Sequence, residues 1–386
     1  MKNKVLTGLL LVLIGGWGSL SAQSAGSNYS RQVNTLIGTK GVGLTSGYLY
    51  PGATYPYGMV QFTPSYFSKR SGFVINQLSG GGCEHMGNFP TFPVKGKLKM
   101  SPDNILNYRI NISEEKGHAG YYEAMVQEDI KAKLTVTERT GMASYEYPAD
   151  QQYGTVIIGG GISATPIEQA AIVITAPNKC EGYAEGGNFC GLRTPYKVYF
   201  VAEFDTDALE SGTWKRNELK PNTTFAEGEY SGVYFTFDVN KKKNIQYKIG
   251  VSYVSVENAR ENLKAENTGW DFLQIQNQAE SKWNHYLGKI EVEGTNPDRT
   301  TQFYTHLYRS FIHPNVCSDV NGEYMGADFK VHKSRSKHYT SFSNWDTYRT
   351  QIQLLSILDP EVVSDIVISH QLFAEEEGGA FPRWVM

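Results

Sequence analysis

The stretch Ile130-Lys131-Ala132-Lys133-Leu134-Thr135-Val136-Thr137 alternates apolar with polar side chains. Successive side chains of an extended strand point to opposite faces, so this period of two predicts a strand with one buried face. Similar patterns, bounded by Gly, Asn, Pro or Asp clusters, occur at residues 156–158, 198–202, 234–237 and 245–254. Because no helical period interrupts this region, we predict a large antiparallel β-sandwich.

The pattern changes after Val256. Residues 257–267 are rich in Glu, Asn, Ala and Lys, and apolar residues then recur every three or four positions from Phe272 to Leu287. These features predict a helical connector and an amphipathic helix. The same spacing predicts another helix over residues 299–312, and Asp359-Pro360 is typical of a further helix start. Antiparallel helices after a sandwich indicate an α/α toroid, of which we expect only the first helices here.

The chain of 386 residues is long enough for two ordinary domains. We predict a signal peptide, a β-sandwich, a helical linker and the first helices of a toroid at residues 1–22, 23–255, 256–298 and 299–386. Two smaller features are a short strand over residues 290–294 and a type I′ hairpin turn at Asn321-Gly322. Asp319-x-Asn321-Gly322 lacks the further spacing of a calcium loop, so it predicts a turn.

The N-terminus has the pattern of a secretory signal peptide. Lys2 and Lys4 precede an apolar run over residues 5–14, and a small residue, Ala22, follows. The run is too short to span a membrane. We predict cleavage after Ala22, with Ala25 as the alternative, and a periplasmic or secreted protein that leaves the membrane.

The overall charge argues against nucleic acid as a partner. The chain has 36 Lys and Arg against 39 Asp and Glu, a net charge of −3 and a pI of about 6.3. Binding to phosphates needs an excess of basic side chains, which this composition lacks. Aromatic residues make up 13% of the chain, which fits sandwich strands and sugar-stacking surfaces equally well.

The segment Ser341-Phe342-Ser343-Asn344-Trp345-Asp346-Thr347-Tyr348-Arg349 brings together an indole, a carboxylate and a guanidinium. Such a set can stack on a sugar ring and bind its hydroxyls. Ser343 and Asn344 are favourable N-cap residues, which places Asp346 in the first turn of the following helix. The alternative interpretation is a capped helix with one buried Trp.

A second candidate is the loop Leu78-Ser79-Gly80-Gly81-Gly82-Cys83-Glu84-His85. Three glycines let a backbone approach a ligand or a neighbouring domain closely. The loop is not a phosphate-binding P-loop, because no Lys-Ser or Lys-Thr follows it. A ligand-binding loop and a tight structural loop remain equally good interpretations.

Four cysteines match no zinc motif. Cys180 and Cys190 lie close in sequence around a Gly-rich turn, so an exported protein could join them in a disulfide. Spacing alone does not establish the geometry of such a bond. Cys83 and Cys317 are expected to be small buried apolar residues.

Eight segments together resemble glycoside hydrolase family 92, a family of exported bacterial calcium-dependent exo-α-mannosidases. They follow one another in the order found in that family and cover nearly the whole chain after the signal peptide. The segments are residues 33–39, 50–61, 78–83, 120–122, 137–139, 315–322, 345–349 and 378–384.

The resemblance implies a β-sandwich joined by helices to an (α/α)6 barrel, with the active site between them. It implies an inverting mechanism, in which one carboxylic acid protonates the glycosidic oxygen and a carboxylate activates water. It also implies a calcium ion that binds mannose hydroxyls. The acid, the base and most calcium ligands are expected beyond residue 386, so we expect no catalytic residue here.

The resemblance also assigns the substrate-binding residues. Trp345, Asp346 and Arg349, with Trp384 nearby, would bind the non-reducing terminal mannose. Gly82, Cys83, Glu84 and His85 would reach from the sandwich towards the leaving-group sugar. The implied partners are mannose-containing glycans.

Two other functions remain open at this point. A non-catalytic carbohydrate-binding module would share the sandwich and its aromatic surface, and a phosphorylase would share the order of sandwich and toroid. Sequence downstream of Met386 would separate these alternatives.

Overall fold

The computed structural model describes residues 28–39, 48–65, 72–103, 111–191, 193, 195–382 and 385. The predicted signal peptide and Trp384 lie outside these residues.

In the described part of the chain, an 8-stranded and a 9-stranded antiparallel sheet form the N-terminal unit. Their strands in chain order are β1 (Ala53–Thr54), β2 (Gln61–Pro64), β3 (Phe73–Val74), β4 (Thr91–Lys95), β5 (Ile112–His118), β6 (Tyr121–Val126), β7 (Ile130–Val136), β8 (Thr140–Glu146), β9 (Tyr153–Gly159), β10 (Ile167–Ala176), β11 (Lys179–Gly186), β12 (Tyr196–Phe204), β13 (Glu210–Lys215), β14 (Glu218–Pro221), β15 (Phe225–Glu227), β16 (Ser231–Asp238) and β17 (Asn244–Ser252). The sheet orders are β1-β2-β3-β4-β9-β16-β13-β14 and β15-β10-β11-β12-β17-β8-β7-β6-β5.

The two sheets share one apolar core, which confirms the predicted large antiparallel sandwich. Strand β7 shows the expected alternation, since Ile130, Ala132 and Leu134 are fully buried and the two lysines between them are half-buried. Thr135 departs from the alternation because its hydroxyl donates to the Gly120 carbonyl at 2.9 Å on a covered face. Burial of a large aliphatic side chain contributes about 1.5–3 kcal/mol.

The helices are α1 (Tyr29–Gln32), α2 (Val256–Glu266), α3 (Phe272–Leu287), α4 (Pro297–Ser310), α5 (Asn344–Thr347), α6 (Gln351–Leu358) and α7 (Pro360–Glu376). The three helices after the sandwich begin where side chains cap free backbone N–H groups. The Ser255 side chain accepts from Asn258 N–H, and Asp271 and Asn296 cap α3 and α4 in the same way. Such caps stabilise a helix by about 1 kcal/mol each.

Residues 290–294 do not form the predicted strand. The Tyr304 hydroxyl donates to the Ile290 carbonyl and accepts from Val292 N–H, both at 3.3 Å. A side chain of α4 therefore takes the place of a partner strand.

The Asn321-Gly322 prediction is half right. Gly322 N–H donates to the Asp319 carbonyl at 2.9 Å, so a turn forms there. It is not a type I′ hairpin turn, because Asn321 is not among the residues with positive φ. The turn precedes a hairpin of β19 (Glu323–Met325) and β20 (Val331–Lys333), whose tip lies further along the chain.

A second apolar core joins the helices to the sandwich. Trp283 of α3 is fully buried, and its indole N–H donates to the Thr54 carbonyl at 2.7 Å. Tyr57 N–H donates to the Phe311 carbonyl at 2.8 Å, beside β18 (Asn315–Val316), which pairs with β21 (Tyr339–Thr340). The helical region is thus packed against the sandwich around residues 283–316.

The Cys180–Cys190 disulfide that the sequence left open does not form, and the expectation that Cys83 is a small buried apolar residue was wrong. Cys190 pairs with Cys83, 107 residues away in sequence, while Cys180 and Cys317 are free and buried. Cys180 lies near the start of β11 and Cys190 lies beyond its end. Six strand residues alone separate such positions by roughly 20 Å, far beyond the reach of a disulfide.

Candidate functional site

The predicted sugar-binding segment forms its own short helix, α5. Ser343 occupies the N-cap position without a side-chain bond to the backbone, because its hydroxyl donates to the Asp346 carboxylate instead. The helix is interrupted at Thr350, which has a φ of 67°. The segment therefore precedes the apolar helix α6 rather than forming its first turn.

Asn344 anchors this segment to the rest of the helical region. Its amide donates to the Pro382 carbonyl at 2.7 Å, and its Oδ1 lies 3.0 Å from Nε2 of His370 in α7. The His370 ring stacks on buried Phe342, with ring centroids 3.7 Å apart. Two independent contacts thus fix the start of α5.

The three side chains expected to bind sugar are all exposed. Trp345 exposes 59% of its surface, which excludes the interpretation as one buried Trp. Asp346 and Arg349 are exposed as well, and the Arg349 guanidinium lies 5.2 Å from the centre of the Tyr348 ring. An indole, a carboxylate and a guanidinium are therefore presented to solvent within five residues.

The glycine loop is closed by His85. Its Nε2 accepts from Leu78 N–H at 2.8 Å, and its Nδ1 donates to the Cys83 carbonyl at 2.6 Å. A Cβ on Gly81 would lie 2.6 Å from the ring, so this position needs glycine. Burial lowers the pKa of His85 to about 4. In this structure the imidazole closes the loop with both nitrogens.

The loop is also tied to two neighbouring elements. The Cys83–Cys190 disulfide joins it to the β11–β12 connection, where the Phe189 ring lies edge-on to His85 at 5.8 Å. His313 of the helical region reaches the Ser79 carbonyl at 3.1 Å. Gly82 and Glu84 remain exposed.

A cavity of about 560 Å³ lies between these elements. The sandwich contributes Phe189 and Tyr196, the β19–β20 hairpin contributes Phe329, and Ser341 and Phe342 line the end next to α5. A volume of this size lies within the range of small-molecule sites. Sequence reasoning missed this cavity, because its walls come from segments far apart in the chain.

An ion-pair cluster fixes the sandwich against the helices. Arg139 is buried, and its Nε donates to the Ser318 carbonyl at 2.7 Å. Its Nη1 lies 3.0 Å from the Glu138 carboxylate and 2.7 Å from that of Glu266. Burial alone would raise the pKa of Glu138, but Arg139 and Lys337 outweigh it and lower the pKa. A carboxylate held ionised in this way is a poor proton donor.

The described residues contain no group of three or more His, Cys, Asp or Glu side chains that could hold a metal ion. Buried Asp319 accepts from Ser252, Asn258 and Asn262 at 2.6–2.9 Å. Burial raises the pKa of Asp319, against these hydrogen bonds. A carboxylate surrounded by hydrogen-bond donors does not fit a calcium site, which needs oxygen ligands.

Comparisons with known proteins agree with this architecture. Residues 32–252 match the model of the glycosyl hydrolase family 92 N-terminal domain, and residues 258–386 match that of the family 92 catalytic domain. The chain belongs to glycosyl hydrolase family 92. The family, the sandwich and the following helices predicted from sequence are thereby confirmed.

Solved structures give the same result. A family GH92 α-mannosidase from Bacteroides thetaiotaomicron is 25% identical, with a TM-score of 0.83, and the match covers 93% of this chain and 51% of that one. The same protein was solved in complex with mannoimidazole. An inverting mannosidase of the same organism, 24% identical over 92% of this chain and 49% of its own, shares the fold with a TM-score of 0.79.

A fungal protein of Arthroderma benhamiae, named an uncharacterized secreted glycosidase, is 26% identical over 363 residues. The alignment covers 83% of this chain and 45% of that protein. The chain thus spans about half the length of the relatives it matches. Among the residues that the structure describes, no helix combines the length and apolar character needed to cross a membrane.

Proposed function

We propose that the protein removes terminal α-linked mannose from N-glycans or mannans with inversion at the anomeric carbon. Residues 1–386 supply the groups that bind substrate in this proposal. Family 92 membership supports the reaction class, and the likeness to an α-mannosidase supports the sugar. The match to the catalytic domain over residues 258–386 favours an enzyme over a non-catalytic glycan-binding module.

The observation that carries this proposal is the exposed set on α5. In our proposal Trp345 stacks on the non-reducing terminal mannose, while Asp346 accepts from its hydroxyls and Arg349 donates to them. An exposed indole offers an apolar face for the C–H side of a sugar ring, and charge-assisted hydrogen bonds are stronger than neutral ones. We place Trp384 near the same sugar.

The glycine loop faces the leaving-group sugar in this proposal. Gly82 and Glu84, which are exposed, make the contacts. In this proposal Cys83 and His85 hold the loop in place through a disulfide and two hydrogen bonds. They are positioning residues.

The acid and base of the inverting reaction lie outside these residues in our proposal. The two carboxyl groups of such a pair stand roughly 6.5–9.5 Å apart, and the acid needs a raised pKa. Glu138 has a lowered pKa, and Asp319 is committed to three donors. We place the calcium ligands outside these residues too, so the ion enters no step assigned to this chain.

We further propose that the chain is exported. The secreted relative supports this, as does the predicted signal peptide. The mature protein would begin at Gln23, and its N-terminal mass checks the cleavage. Domain limits at residues 23–255, 256–298 and 299–386 are part of the same proposal.

The first prediction tests Asp346. Replacing Asp346 with Asn removes the charge but keeps the size, so we expect binding of methyl α-mannoside to weaken by at least about tenfold. Stability should change by less than about 1 kcal/mol, because Asn is accepted near helix starts. Isothermal titration and thermal unfolding measure the two effects.

The matched control is Asp298→Asn, which removes a first-turn carboxylate from α4, distant in sequence from the α5 set. The control should bind methyl α-mannoside as the unaltered chain does. Equal affinities for all three proteins would return Asp346 to a structural role. The 386-residue chain should bind the sugar without hydrolysing α-mannosides, and turnover would refute the proposed location of the acid and base.

A further inference from the structure

Phe329 occupies an unusual position at the tip of the β19–β20 hairpin. Its φ is 58°, and 67% of its surface is exposed. Positive φ at a tight turn normally belongs to Gly, Asn or Asp, and for a bulky side chain it is a strained conformation. Neither the backbone nor packing among the residues that the structure describes therefore explains an aromatic residue here.

The tip around Phe329 is held in place by its neighbours. Ala327 N–H donates to the Glu376 carboxylate at 2.9 Å, and the Tyr324 hydroxyl donates to the same carboxylate at 2.7 Å. Asp328 accepts from Lys330 N–H at 3.1 Å and lies 2.9 Å from the His332 ring. These bonds fix the turn without using the Phe329 side chain.

The ring of Phe329 is part of the wall of the 560 Å³ cavity. Phe189 and Tyr196 of the sandwich line the same cavity, as does Phe342 at the end next to α5. Lys197 and Glu377 add polar groups to this mostly aromatic lining. Aromatic walls with a few polar groups suit a sugar ring, which has an apolar C–H face and a polar edge.

We propose that Phe329 is a stacking residue for the leaving-group sugar of an α-mannoside. This inference rests on the proposed function, in which the terminal mannose binds at Trp345, Asp346 and Arg349. The second sugar then enters the cavity beside Ser341 and packs its C–H face on the Phe329 ring. The strained turn presents the ring to the ligand, since strained residues that their surroundings hold in place often serve binding.

The test compares one sugar with two. Isothermal titration of the 386-residue chain measures affinity for methyl α-mannoside and for α-1,2-, α-1,3- and α-1,6-linked mannobiose. We expect at least one mannobiose to bind more tightly than the monosaccharide. Phe329→Gly should weaken the binding of that mannobiose by about tenfold, which corresponds to one lost aromatic contact. The same variant should leave the affinity for methyl α-mannoside unchanged.

Two further measurements exclude a merely structural role. Phe329→Gly should unfold at the same or a higher temperature, because glycine relieves the strain at positive φ. Phe329→Trp keeps an aromatic face and should keep the preference for mannobiose. A lowered unfolding temperature together with weaker methyl α-mannoside binding would contradict the inference.

The remaining outcomes separate the two proposals. If the unaltered chain binds every mannobiose no better than methyl α-mannoside, the stacking role of Phe329 is wrong and the mannose site stands. The same conclusion follows if the Phe329→Gly variant still binds mannobiose more tightly than methyl α-mannoside. If neither sugar binds, both proposals fail.

Discussion

His85 shows how a single side chain can determine the shape of a loop. The ring is buried, and each nitrogen has a backbone partner within the loop. Because Nε2 accepts from Leu78 N–H, the ring must be neutral, with its proton on Nδ1. In a protonated ring the Nε2–H group would face Leu78 N–H, so two donors would repel each other and the hydrogen bond to Leu78 would be lost.

This arrangement predicts a pH dependence of stability. Burial lowers the pKa of His85 from 6.5 to about 4 in the folded protein. The unfolded state therefore takes up a proton first as the pH falls below 6.5, and stability is lost until the folded pKa is reached. Between about pH 7 and about pH 5, His85 should lower the free energy of unfolding by about 2 kcal/mol.

Urea unfolding at the two pH values checks this prediction. His313, His338 and His370 also have pKa values lowered by burial, so each adds to the loss of unfolding free energy. His85→Gln removes the contribution of this histidine, so the loss of unfolding free energy between the two pH values should be smaller by about 2 kcal/mol. An identical loss in this variant would show that His85 is already protonated or exposed in the folded protein.

At the scale of elements, the glycine loop is a joint between three parts of the chain. The disulfide connects it to the β11–β12 segment, and His313 connects it to the end of α4 through Ser79. The loop thus takes its position from both the sandwich and the helices. Glu84 is exposed, while the residues on either side of it are held by the disulfide and by hydrogen bonds.

Removal of the disulfide gives the element-scale prediction. Cys83→Ser with Cys190→Ser opens a covalent loop of more than 100 residues. A crosslink of this span contributes about 2–5 kcal/mol by restricting the unfolded chain. The free energy of unfolding of the double variant, measured in urea, should be lower by that amount. Hydrogen exchange in residues 78–85 should become faster. The α5 region should keep its protection.

Reductant provides the control for the disulfide. It should destabilise the unaltered protein to the level of the double variant and leave the double variant unchanged. Cys180 and Cys317 are buried and free in both. An effect of reductant on the double variant would mean that another cysteine pair carries the bond.

The strands and helices were largely predictable, and their long-range relations were not. The alternation at residues 130–136 and the spacing from Phe272 to Leu287 report burial directly, so they located β7 and α3. Pairing Cys180 with Cys190 failed because closeness in sequence hides the length of β11 between them. The role of His85 was equally invisible, since its partners depend on how the loop closes.

At the scale of the whole molecule, the helices and the sandwich form one packed body. The buried Arg139 bonds to Glu266 of α2 and to the Ser318 carbonyl near β18. Breaking such a buried pair by removing one partner typically costs 3–5 kcal/mol. This packing holds the α5 segment at the end of a cavity whose other walls belong to the sandwich. The sequence predicted both units, but not the cavity between them.

We propose that the exposed set on α5, Trp345, Asp346 and Arg349, binds a terminal α-mannose. The most direct test follows the tryptophan indole N–H signals by NMR while methyl α-mannoside is added to the 386-residue chain. Trp345 should shift in a saturable way, while the fully buried Trp214 and Trp283 should not move. Asp346→Asn should weaken the response. The proposal would be contradicted if the Trp345 signal stayed in place while the sugar bound elsewhere. It would also be contradicted if the sugar did not bind.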